Sequence, residues 1–193
     1  MAATGDNSYS LITTGKADNA ASGYIWAAKK TASLTVPTDA TTALPEGFAC
    51  LGAITSDGIT QSKSRETTDY QDMTGDDVYT AQSRSSEQFA LTLMTLNVAG
   101  LKQYYGDANV TEDAQAGTLH IAHNGDEAEE YVYVWETITS DGRIDRTVVP
   151  RGKVIELGDV VKAPGELLTH QITIKALKDD TGHTAHDYFG RAA

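Results

Sequence analysis

Residues Glu130–Thr137 read Glu-Tyr-Val-Tyr-Val-Trp-Glu-Thr, with Tyr131, Tyr133 and Trp135 alternating against Val132 and Val134. A strand sends successive side chains to opposite faces, so this segment is apolar on both. One face covers a core and the other meets a second surface. Outward from it, Ser86–Leu96 (SEQFALTLMTL) alternates Phe89, Leu91 and Leu93 against Gln88, Ala90 and Thr92, the period of a half-buried strand. Thr169–Leu177 (THQITIKAL) repeats the pattern, with His170, Ile172, Ile174 and Ala176 opposite Gln171, Thr173 and Lys175. Between these strands, Asn97 suits a helix N-cap, with Val98, Leu101 and Tyr105 on one face and Gly106 as the stop. Gly100 inside so short a helix costs about 1 kcal/mol relative to Ala, so packing must hold it.

The remaining segments are short and turn-rich. Residues 1–22 are small and polar and read as a flexible arm ahead of one domain spanning 23–193. Gly23–Ala28 is a short apolar segment, and Thr31–Glu46, with Pro37 and Pro45, is an extended surface connection. Gly47–Thr55 reads as a strand buried on both faces. Asp57-Gly58 then reads as a hairpin turn into a polar return strand, Ile59–Glu66. Thr67–Ser85 lacks clean periodicity and reads as a long loop. Thr118–His123, Arg143–Val149 after the Asp141-Gly142 turn, and Lys153–Leu157 are further strands, and Tyr188-Phe189 pins the polar tail. Eight or so short strands with one helix at 97–105 predict a mainly β fold: an antiparallel β-sandwich or partly closed barrel with a short flanking helix.

The chain has 193 residues, 40% hydrophobic and 22% charged, which suits one globular domain. Its formal net charge is −12, from 27 acidic and 15 basic side chains. That balance argues against a protein that grips nucleic acid, since phosphate binding needs Lys and Arg. The excess lies in residues 66–142, with Arg84 and Lys102 the only bases there, while both flanks are close to neutral. Glu66–Ser83 and Gln103–Gly142 carry carboxylates and no base. The bland account is a solvated acidic face, and the functional one a surface that repels polyanions or meets a basic partner. No apolar run reaches membrane-spanning length, no secretory leader is evident, and Cys50 is a lone cysteine expected as a small buried hydrophobe in a reducing compartment.

Catalytic patterns are missing from the sequence. The loop Asp69–Asp77 lacks calcium-loop spacing, and neither a phosphate-binding glycine loop nor a Gly-x-Ser-x-Gly elbow occurs. His120 and His123 fall on opposite faces of a strand. His183 and His186, in the polar tail, could clip a divalent ion, but no Cys partner or motif supports them. No enzyme activity, cofactor or native metal site is expected. A partner interface is expected at Asp69, Tyr70, Asp72, Met73, Asp76, Asp77 and Tyr79, because tyrosines and a methionine on a long loop gain from docking. Arg143, Arg146, Arg151 and Lys153 are the expected basic complement, meeting acids of a neighbouring subunit.

The order of Gly23-Tyr24-Ile25-Trp26, Val36-Pro37-Thr38-Asp39-Ala40-Thr41-Thr42-Ala43-Leu44, Gly47-Phe48, Leu51-Gly52 and Ser56-Asp57-Gly58-Ile59-Thr60 resembles the major tail protein of long-tailed, non-contractile bacteriophages. The long polar stretch, the Phe-Ala-Leu-Thr-Leu strand and the Asn-Val-x-x-Leu-x-x-Tyr-Tyr-Gly helix follow in the same order. The resemblance is good over residues 23–106 and extends beyond only in strand order. It implies a tail tube subunit that closes into a ring β-barrel as a homo-oligomer. Hexameric rings would stack around a tape-measure protein, meet tail terminator and tail-tip proteins, and pass DNA without specific binding. Thr67–Ser85 and both termini would make inter-subunit contacts, and part of the acidic excess would line the lumen. No C-terminal immunoglobulin-like domain is expected, and the protein would reside in the virion tail after assembly in the host bacterial cytoplasm, with no membrane partner. The competing expectation is a monomeric β-sandwich binding module, of adhesin or carbohydrate-binding type, which would expose Tyr131, Tyr133 and Trp135 as an aromatic patch.

Overall fold

The computed structural model describes residues 15–17, 25–95, 97–140 and 142–191. The strands are β1 (Gly15–Ala17), β2 (Ile25–Lys29), β3 (Ala49–Cys50), β4 (Ile54–Gln71), β5 (Asp77–Leu93), β6 (Val110–Asp113), β7 (Thr118–Ile121), β8 (Glu130–Thr139), β9 (Arg143–Leu157), β10 (His170–Ala176) and β11 (His186–Arg191). One α-helix, α1 (Val98–Tyr105), follows β5. Nine strands form one antiparallel sheet in the order β3-β2-β8-β9-β10-β5-β4, with β1 on β8 and β11 on β9, and β6 pairs β7 separately. The mainly β expectation with one short helix is met.

The sheet curls over its own core. Phe89 on β5 and Trp135 on β8 are separated by β9 and β10 in the sheet order, about 14 Å if the sheet were flat. Their rings instead meet edge-to-face at 4.8 Å. The alternating residues read from the sequence fill the inside: Phe89, Leu91, Leu93, Ile172, Ile174, Tyr133 and Trp135 are buried with Ile25, Leu51 and Val149. The helix lies against this core. Asn97 caps it, its Oδ1 accepting from Gly100 N at 2.7 Å, and its Nδ2 donates to Cys50 O at 2.9 Å, tying the helix start to β3. Gly100 is required there, since a Cβ would sit 2.7 Å from Asn97 Oδ1 and 2.8 Å from Leu51 O.

The other face of β8 also finds its cover within the protomer. Val132, Val134 and Val148 are buried beneath Trp26, Leu34, Val36, Leu44, Phe48 and Tyr188. Thus the Thr31–Glu46 connection and β11 supply the second surface expected of this strand. Asp39 organises that connection by accepting from Thr41 N at 2.8 Å and Thr42 N at 2.6 Å. Ala40 is buried, and a Cβ on Gly190 of β11 would stand only 2.9 Å from its methyl.

Five sequence expectations are corrected. Thr67–Ser85 is no loop: it forms the ends of β4 and β5 and the tight turn between them. Its side chains meet water on both faces, which removes the alternation by which strands are recognised. Asp57-Gly58 is no hairpin: β4 runs through it, and the positive φ of Gly58 (72°) serves a shift in register between Ile54 and Ile59 against β5. Gly47–Thr55 contributes only the two-residue edge strand β3, and Cys50 is half-buried there. Arg143–Leu157 is one strand, with Pro150 carried through where the β8 register shifts between Tyr131 and Tyr133. Within residues 1–22, Gly15–Ala17 pairs with β8, and the rest lies outside the described residues, as does Asp141.

Candidate functional site

From Thr60 to Thr80 every residue of the β4–β5 hairpin is exposed, so the pair leaves the body as a free two-stranded arm. At about 3.3 Å per residue, Thr60 to Gln71 reaches roughly 35 Å. A two-stranded hairpin with no packed face is marginal in water, so an arm of this length implies a surface to lie on. Its root is fixed by Glu87, a carboxylate only 3% exposed. Lys63 Nζ lies 2.9 Å from its Oε1, Gln61 Nε2 donates at 2.5 Å, and Thr184 Oγ1 donates to Oε2. Burial opposes its ionisation, but the hydrogen bonds from Thr184, Lys63 and Gln61 outweigh it and hold the carboxyl below its ordinary range. The sequence offers no signal for this anchor, because its partners lie 26 and 97 positions away.

All seven expected interface residues of the long segment sit at the arm's far end. Tyr70 and Tyr79 face each other across the ladder with ring centroids 5.9 Å apart, and both are exposed, as are Met73 and Val78. Asp72 holds the turn: its Oδ1 accepts from Thr74 N at 2.7 Å, Thr74 Oγ1 at 2.5 Å and Asp76 N at 3.2 Å. The Thr74 hydroxyl and the backbone donors keep the Asp72 carboxyl below its usual range. Asp69 accepts from Thr80 Oγ1 at 2.7 Å and Asp77 from Gln71 Nε2 at 2.9 Å. The result is a preformed, acidic, partly aromatic tip.

The four basic residues behave differently. Arg146 is buried, its guanidinium 2.5 Å from Glu136 Oε1 and donating to the carbonyls of Asp39 (2.9 Å) and Thr42 (2.8 Å). It clamps the Pro-Thr-Asp-Ala-Thr-Thr turn from inside and is not available to a neighbour. Arg151 forms a two-pronged pair with Glu130 at 3.0 and 2.9 Å, and Lys153 pairs with Glu127. Those three therefore meet acids of their own chain, and Arg143 has its own interactions within the protomer. The same pairings neutralise much of the second acidic stretch: Lys29 also binds Asp107 and Glu129, and Lys102 binds Asp107 at 2.9 Å. The carboxylates at the arm's tip instead accept hydrogen bonds from Thr74, Thr80 and Gln71.

The histidines do not converge on one centre. His170 is buried against Tyr104 and Tyr105, His123 stacks edge-on with Tyr105, and His183 and His186 lie together near Asp179. A cleft of about 390 Å³ beside α1 is lined by Tyr104, Asp107, Asp126, Glu127, Glu129 and Tyr131; lysines pair Asp107, Glu127 and Glu129, and Asp126 accepts from Asn124 Nδ2. Tyr133 and Trp135 are core residues and Tyr131 packs beside them, so the exposed aromatic patch of a binding module is not formed. Among the described residues no helix is long and apolar enough to cross a membrane.

A curled β domain with a free, preshaped arm defines a protein built to associate. The family model of phage tail tube proteins matches residues 14–189, and the chain belongs to that family. No curated protein sequence matches it. Among solved structures it is similar to the tube-terminating cap of the anti-feeding prophage, at 13% identity over 82% of this chain and 93% of that one, TM-score 0.37. It is also similar to a sheath/tube terminator chain of an extracellular contractile injection system in its extended state (10% identity, 85% and 92% covered, TM-score 0.37). A chain in the anti-feeding prophage baseplate gives 9% identity, 89% and 97% coverage and a TM-score of 0.40. Membership of the family rests on the match over residues 14–189.

Proposed function

We propose that this chain is the repeating subunit of the tail tube of a long-tailed phage. Six copies close into a ring, their curved sheets completing an inner barrel. Rings stack around a tape-measure protein and later conduct DNA. The β4–β5 arm reaches across to a neighbouring subunit, and its acidic tip meets the partner's surface. The observation that carries the reading is the arm itself: strands exposed on both faces from Thr60 to Thr80, ending in Tyr70, Met73 and Tyr79 around a turn fixed by Asp72. Ring closure would also protect sheet edges that a monomer leaves open. Little basic charge is free in residues 66–142, which suits a bore along which DNA slides, because duplex phosphates bind where Lys and Arg gather.

The test is assembly of an arm variant. Tyr70→Ala with Tyr79→Ala leaves the body's packing untouched, so the expected result is a folded protomer with wild-type melting that no longer polymerises. Wild-type tube yield and length from that variant would refute the arm's role.

A further inference from the structure

Spacing alone gives the His183 and His186 pair no third ligand, but the fold supplies one. The segment between β10 and β11 turns back so that Asp179, His183 and His186 bring one ligand atom each to within 4.8 Å of one another. We propose that these three residues form a binding site for a divalent transition-metal ion of the Zn2+ type.

Three features of the cluster support this. First, the donor set is right: two imidazole nitrogens and one carboxylate oxygen suit Zn2+, Co2+ or Ni2+, whereas Ca2+ and Mg2+ want oxygen alone. Second, the carboxylate is already placed. Asp179 Oδ1 accepts from Thr181 N (2.8 Å), Thr181 Oγ1 (2.8 Å) and His183 N (2.9 Å), while Oδ2 stands 3.0 Å from His186 Nε2. Third, the imidazoles are prepositioned: the His183 and His186 ring centroids are 5.3 Å apart, and Thr181 Oγ1 lies 2.8 Å from His183 Nδ1, the kind of outer contact that orients a ligating ring. Ligand atoms on a tetrahedral zinc sit about 3.4 Å apart, so closure needs roughly 1 Å of movement, within the freedom of the exposed His183 ring. Water completes the coordination on the open side.

The site spans the stretch that leads into β11. His186 opens that strand, which pairs with Val148 through Arg143 of β9, and Thr184 is tied to Glu87 at the root of the arm. A bound ion therefore fastens β11, and the arm's root beside it, to the body.

The experiment uses the full-length protein, stripped with chelator and titrated with ZnCl2 by calorimetry at pH 7.5, with melting followed in parallel. The expected result is one equivalent bound with micromolar or tighter affinity and a zinc-dependent rise in melting temperature. His183→Ala and Asp179→Asn should each weaken binding at least about tenfold. His183→Ala, at an exposed position, keeps the wild-type circular dichroism, so loss of fold cannot mimic loss of binding. Co2+ substitution should give the intense visible bands of a four-coordinate ion. No saturable binding, or binding unchanged in both variants, would overturn the proposal. Loss of binding on His120→Ala with His123→Ala, and not on His183→Ala, would overturn it equally.

Discussion

Arg146→Ala tests the internal architecture most sharply. The guanidinium is 5% exposed and lies 2.5 Å from Glu136, itself 16% exposed, while also donating to the Asp39 and Thr42 carbonyls. Truncation leaves a largely buried carboxylate and two carbonyls without their donor. Removing one partner of a buried ion pair costs about 3–5 kcal/mol, most of it the cost of the stranded charge. In a chain of this length each kcal/mol moves the melting temperature by about 2–4 °C, so a drop of roughly 10 °C is expected by calorimetry. Arg151→Ala is the internal control. Its pair with Glu130 has the same chemistry but both side chains are about a third exposed (36% and 35%), and solvent screening limits its worth to about 1 kcal/mol or less. Arg146→Lys should fall between, because one ammonium cannot serve Glu136 and two carbonyls with the fork geometry of a guanidinium. If Arg146→Ala loses no more stability than Arg151→Ala, the clamp on residues 39–42 is not what holds the covering segment down.

Three further outcomes are expected. Gly100→Ala, which at an ordinary helix position would gain up to about 1 kcal/mol, should instead lose about 1–3 kcal/mol in urea unfolding, because its methyl collides with Asn97 Oδ1 and Leu51 O. Tyr133→Phe should cost about 1–2 kcal/mol by the same assay, since the hydroxyl donates at 2.6 Å to Oε1 of Gln103, which is left buried without its donor. His170 gives a pH signature: burial, with Lys162 adding repulsion, holds its imidazole below the ordinary value of 6.5. The unfolded chain therefore takes up that proton first, so the stability it contributes is complete above about pH 6.5 and lost as pH falls through the folded value. Urea midpoints of wild type and His170→Asn should converge toward acid, and parallel pH profiles would contradict the assignment.

What the sequence made legible was set by burial. Phe89, Leu91, Leu93, Ile172 and Ile174 alternate because one side of β5 and β10 faces the core, and the Asn97 cap is a local signal acting three residues away. The outer arm was illegible as strand for the opposite reason: Thr67–Thr80 has no buried side in the protomer, so nothing selects a period of two. Asp57-Gly58 advertises a positive φ, a requirement that a hairpin and a bulge share, and only the pairing of Ile54 and Ile59 with β5 tells them apart. The ion pairs were out of reach because Arg146 meets carbonyls more than a hundred residues earlier in the chain, so a basic cluster that looked free for a neighbour is engaged at home. The arm's tip was found through composition alone, from tyrosines and a methionine among carboxylates.

Negative-stain electron microscopy of the purified full-length protein tests the central claim most directly. Uniform hollow rings or tubes with sixfold end views are the expected result. A dispersed monomer of 20.6 kDa at high concentration would contradict it.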